Sequence, residues 1–182
     1  MVFVIFVIFV MSRGRDEQTM QLAFAELQRY TQEERDKWRA WFTSHPDALE
    51  TAVQPGGRYA TVGALIDHIF LVERRHLQRL TNAPLDTKTG LSGRHVPPLF
   101  DYGASVRREL EQFVSGLDED VADEPRTFTV QSGGDFVLTP RKLLFHILLH
   151  ETRHWAQIAL AIRNAGLEPP GNHDLFYSKA LR

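Results

Sequence analysis

Apolar positions recur at helical spacing in four long stretches of this chain, and turn-forming residues punctuate the gaps between them. From Asp16 to about Thr43 the chain is rich in strong helix formers, with Met20, Ala23, Phe24, Leu27, Tyr30, Trp38, Trp41 and Phe42 as its apolar positions. His45-Pro46 closes that helix, because a proline disfavours a helical residue before it. After a loop at Val53–Tyr59, Thr61 is placed to cap a second helix running to about Leu80. Its apolar arc is Val62, Leu65, Ile66, Ile69, Val72, His76, Leu77 and Leu80, with His68 at the edge of the arc and His76 well inside it. A long connection, Thr81–Val96, carries Pro84, Gly90 and Gly93. The third helix follows Pro97-Pro98 and ends near Leu117.

Arg126–Val130 and Asp135–Thr139 flank Ser132-Gly133-Gly134, the pattern of a small hairpin. Thr139-Pro140 then starts the fourth helix, a capping threonine followed by proline at the first helical position, and Gly166 ends it. That last helix is apolar on nearly every side: Leu143, Ile147 and Ile158 on one face, Phe145, Leu149, Ala156 and Leu160 on another. Such a helix is either central or buried a second time in an oligomer, and a homodimer is expected. The tail from Leu167 is expected to strap across the helices through Leu175, Phe176 and Tyr177. Four helices and one hairpin predict an all-α four-helix bundle over residues 16–182.

Residues 1–15 fall outside this pattern. Met1–Met11 is a continuous apolar run, too short for a membrane span of about 20 residues, and no positive segment or cleavage site of a secretory signal accompanies it. Four readings compete for it: a start called too early, with Met11 or Met20 the true one; a strand or helix packed on the domain or a partner; a membrane-surface anchor; or an appended tag. The rest changes little. The chain has 182 residues, is 43% hydrophobic and 24% charged, and carries a net charge of −2, which suits one globular domain without the footprint of nucleic-acid binding. A cytoplasmic location is expected, with no membrane span.

Two compositional facts do bear on chemistry. There is no cysteine, so a thiolate metal site and a protein-borne thiol nucleophile are both excluded. There are eight histidines, three of them at His146, His150 and His154 on the fourth helix. Residues four apart on a helix are offset by only about 40° and are side-by-side neighbours. His150 and His154 share a face with Leu143, Ile147, Ile158 and Ala161 and should point into the bundle. Burying two imidazoles without partners is costly. A divalent cation resolves that cost, and so do hydrogen bonds to other side chains; spacing leaves both readings open.

The same residues also spell His150-Glu151-Thr152-Arg153-His154, the His-Glu-x-x-His pattern of metalloproteases, in which the glutamate is general base and a third ligand comes from downstream, here Glu168 or His173. The metzincin continuation is absent, since Gln157 and Leu160 stand where glycine and histidine are required. Glu151 remains a candidate to accept a proton beside a metal. His45, His95 and His173 fall in loops or the tail and are expected to be solvated.

With an internal histidine in the second-helix segment DHIFLVERRHLQRL and the late segment LLHETRHWAQIALAIR, the chain resembles the DinB/YfiT-like superfamily of metalloenzymes. That family's late motif is a histidine, another four residues on, then a small residue and glutamine: here His150, His154, Ala156 and Gln157. The resemblance implies a four-helix bundle with a divalent-metal site at His68, His150 and His154, and places His146 and Gln157 around it. Periodicity alone buries His76 more deeply than His68, so His76 stands as the alternative third ligand. The resemblance further implies zinc or nickel, or else iron or manganese. It implies an enzyme acting on a small molecule: a transferase using a low-molecular-weight thiol such as bacillithiol or mycothiol, or a hydrolase. A non-catalytic protein induced by stress or DNA damage is the remaining alternative.

Overall fold

The structure, a computed structural model, describes residues 23–53, 57–129 and 134–180. The predicted leader and the first turns of the first helix lie outside those residues. The long helices are α1 (Phe24–Ser44), α2 (Val62–Leu80), α3 (Val96–Ser115) and α5 (Pro140–Asn164), the last being the fourth helix of the sequence reading. A short α4 (Glu119–Asp123) and the antiparallel pair β1 (Arg126–Thr129) and β2 (Asp135–Leu138) link α3 to α5. The protein is an all-α bundle with one small hairpin, as expected.

Local chemistry sets the helix starts. Thr61 Oγ1 accepts from the Ala64 amide at 3.2 Å, and Thr139 Oγ1 accepts from the Lys142 amide at 3.1 Å. Pro97 and Pro98 lie inside the first turn of α3 rather than ahead of it, where their missing amides cost nothing. The start of α2 is pinned from outside: a Cβ at Gly63 would stand 1.8 Å from the Gly93 carbonyl oxygen, so only glycine lets the 87–95 connection lie against the helix.

α2 packs most extensively on α5, then on α3, while α1 lies against α5 and α3. Two apolar clusters fill the interior. One gathers Trp38, Phe42, Phe70, Phe100, Trp155 and Ile158; the other gathers Leu27, Leu77, Leu110, Ile147 and Leu148. On every long helix a buried charged residue falls between its contributions to the two clusters: Arg35, Glu73, Arg107 and Glu151.

The tail does run along α1, but its grip is polar. Tyr30 and Arg29 donate to the carbonyls of His173 and Ala180 at 2.7 and 2.9 Å, and Ser178 donates to Glu33 at 2.8 Å. The residues expected to form the strap face outward, with Phe176 89% exposed. His173, expected to be solvated, stacks on Trp38 and bonds Glu34 at 2.5 Å, because the buried tryptophan face is the better partner for a flat ring. Leu149 and Leu160 on α5 are exposed at 57% and 59%. No helix among the described residues is long and apolar enough to cross a membrane.

Candidate metal centre

Antiparallel packing of α2 on α5 brings their histidines together in order. His68 faces His150 and His154, with ring centroids 5.2 Å from each, while His76, two turns later on α2, faces His146 at 5.2 Å. One nitrogen from each of His68, His150 and His154 lies within 4.8 Å of the other two, the sole such group of three among the described residues. His154 is 8% exposed, and its Nε2 stands 3.0 Å from His150 Nε2.

The outer nitrogens of His68 and His154 are spoken for. Tyr59 places its hydroxyl 2.7 Å from His68 Nδ1 and its ring against the imidazole at 4.4 Å. Gln157 Oε1 accepts from His154 Nδ1–H at 2.6 Å, which leaves the Nε2 lone pair of His154 for the interior. Burial pushes the His68 pKa down to about 4, helped by His154 and by the Arg58 and Arg75 cations. Burial and the neighbouring imidazoles lower His150 as well, and burial lowers His154 against the pull of Gln157. Three rings, one buried and two half-buried, are therefore held neutral with a ligand nitrogen of each gathered within 4.8 Å.

That donor set fits a divalent ion. Metal–imidazole distances of about 2.0–2.1 Å separate two ligand nitrogens by about 3.3 Å in a tetrahedron, so the observed 3.0 Å contact needs only a small opening. The orienting partners, a phenol on one ligand and an amide on another, are the outer contacts that fix imidazole rotamers in metal sites. Sequence periodicity did not single out Tyr59, which comes from the loop before α2. Replacing Tyr59 by phenylalanine keeps the ring packing and removes the hydroxyl. Metal affinity is expected to fall about 10- to 100-fold in a competitive chelator titration.

The remaining candidates separate. His146 is exposed, 5.7 Å by ring centroid from His150. Burial, with His146 and two arginines beside it, pushes His76 down to about 3. Glu151 is turned into the interior, where its two oxygens accept from Arg35 Nε at 2.5 Å, Arg35 at 2.8 Å, Arg107 at 2.7 Å and Trp155 Nε1 at 2.9 Å. Burial alone would raise its pKa, but the two guanidiniums hold it below the usual carboxylate value. A carboxylate so engaged has no lone pair left to act as the base of a His-Glu-x-x-His site. The downstream ligands of that reading are elsewhere too: His173 is on Trp38, and Glu168 is exposed with its carbonyl accepting from Trp41.

Space for a small molecule adjoins His154 on one side of Tyr59 and His68 on the other. A cavity of about 400 Å³ touches Tyr59, Leu65, His154 and Gln157, and another of about 470 Å³ touches Tyr59, His68, Asp67 and Arg75; Arg58 borders both.

A helical bundle with an open cluster of three histidines between facing helices is the architecture of internal metal sites in helical proteins. The DinB family model matches residues 15–180, and the chain belongs to that family. Among curated proteins none matches it.

Proposed function

We propose that this protein is a divalent-metal-dependent enzyme that transfers a low-molecular-weight thiol to a small electrophile. The observation that carries the reading is the convergence of His68, His150 and His154, each presenting a neutral nitrogen to one point beside a cavity large enough for a small substrate. When bound there, zinc or nickel supplies Lewis acidity that lowers the pKa of a thiol and stabilises developing negative charge. Three protein ligands leave positions open for reactants, as in catalytic rather than structural sites. The chain has no cysteine, so the thiol must arrive as a co-substrate. Tyr59 and Gln157 fix the imidazoles, and Arg58 at the rim of both cavities attracts an anionic thiol such as bacillithiol or mycothiol.

Reconstituted protein incubated with each thiol and an electrophilic aryl halide tests this. The expected result is thioether formation above background that chelator and His150→Ala both abolish. Metal-dependent ester cleavage without thiol turnover would assign the site to hydrolysis instead. The exposed Leu149, Ala156 and Leu160 stripe on α5 further supports a homodimer, which sedimentation at several concentrations tests; a Leu160→Glu variant should then be monomeric.

A further inference from the structure

Below the three histidines, where the hairpin closes over α2 and the start of α5, lies a separate cavity of about 350 Å³. Phe128, Phe136 and Leu138 from the hairpin and Leu143 from α5 form its apolar wall. Strand alternation puts Phe128 and Phe136 on the same face, since they are directly paired across β1 and β2. The opposite wall is basic and polar: Arg79 and His76 from α2, Lys142 and His146 from α5. No carboxylate lines it among the described residues.

Arg79 is the informative group. Its Nε donates to the Thr129 carbonyl at 2.8 Å and a terminal nitrogen lies 3.5 Å from His76 Nδ1, but it makes no ion pair among the described residues. The two fully buried arginines, Arg35 and Arg107, are matched by glutamates, whereas half-buried Arg79, like Arg75 beside it, donates to backbone carbonyls. Arg79 has instead a like charge for a neighbour: burial and Arg75 both lower its pKa. Lys142 adds a second cation at the mouth, also without an ion pair among the described residues. A half-buried guanidinium without a counter-charge, facing two phenylalanines across a cavity, is complementary to a ligand with a charged head and an apolar body.

We propose that this cavity binds a small amphipathic carboxylate, its head on Arg79 and Lys142 and its aryl or alkyl body against Phe128 and Phe136. The site does not depend on the metal reading, because none of its lining residues is among the three converging histidines.

The test is a titration of the full chain with 4-phenylbutyrate and with its neutral amide, followed by amide chemical shifts in NMR spectra. The expected result is saturable binding of the acid, with shifts centred on Arg79, Phe128 and Phe136. The amide should bind about tenfold more weakly, the worth of one charge-assisted hydrogen bond. Arg79→Gln and the exposed-site variant Lys142→Gln should each weaken the acid and leave the amide unchanged. His150→Ala, which loses the proposed metal, should bind the acid as the parent protein does. Equal binding of acid and amide, insensitivity to both charge variants, shifts centred on His68 and His154, loss of binding in His150→Ala, or no binding at millimolar ligand would each overturn the proposal.

Discussion

Glu151→Ala is expected to lose about 3–5 kcal/mol of stability, because it leaves two guanidiniums buried without their partner. For a chain of this length that lowers the melting temperature by roughly 6–20 °C. The expectation rests on how completely the group is enclosed. Arg35, Glu73, Arg107 and Glu151 are each no more than 4% exposed, and each glutamate is bonded by both arginines. Thr31 and the Gly103 carbonyl take further guanidinium hydrogens at 2.9 and 3.2 Å, so all four long helices meet at one polar centre between two apolar clusters. Glu73→Ala should cost as much by the same reasoning. The pH dependence has a definite sign. The Glu151 pKa is lower folded than its ordinary 4.5, so its contribution is fully present above that value and is lost as pH falls through the folded one. Thermal melts from pH 7 to pH 3 should therefore show the parent converging on the Glu151→Ala variant. A variant as stable as the parent at pH 7 would remove the ion cluster from the account of the fold.

His154→Ala is the second large effect, and it falls on metal rather than on folding. The ring it removes is the most buried of the three and is held by Gln157. Its loss should weaken metal binding by more than about 100-fold, beyond the range of losing an orienting partner. Binding to the folded state alone stabilises by about 4 kcal/mol at a thousandfold excess over Kd. Added zinc or nickel should accordingly raise the melting temperature of the parent and leave that of His154→Ala in place. The apo forms of the two proteins should melt within a few degrees of each other, since the deleted ring is replaced by a small apolar group on a helix that alanine favours.

The bundle was legible because its punctuation is local. Thr61, Thr139-Pro140 and Gly166 act on their own neighbours, and the hairpin is announced by Ser132-Gly133-Gly134. The pair His150 and His154 was legible for the same reason, being one turn apart on one helix. Their partner was not. His68 and His76 differ by eight residues and both lie toward α5, so periodicity can only say how deep each sits. Which one meets His150 is decided by the antiparallel register of two helices, which puts His76 opposite His146 instead. Family resemblance supplied what spacing lacked.

The buried ion cluster did leave a trace, in that Glu73 falls four residues after Ile69 and four before Leu77 on the apolar arc of α2. Its answering charges come from two other helices, Arg35 on α1 and Arg107 on α3, and no local pattern links them. Glu151 reads as a candidate base from the sequence for the same reason. One residue from a metal-facing histidine, it looks available until the arginines from α1 and α3 are in place. The tail likewise follows its expected path, but Tyr30, Arg29 and Glu33 hold its backbone and hydroxyl rather than its apolar side chains.

The most direct test of the central claim is the metal content per chain of parent, His68→Ala and His76→Ala, by elemental analysis after exhaustive dialysis. One divalent ion per chain is predicted for the parent and for His76→Ala, and none for His68→Ala. Full retention by His68→Ala, or a parent without metal after reconstitution, would contradict a site built across α2 and α5 from His68, His150 and His154.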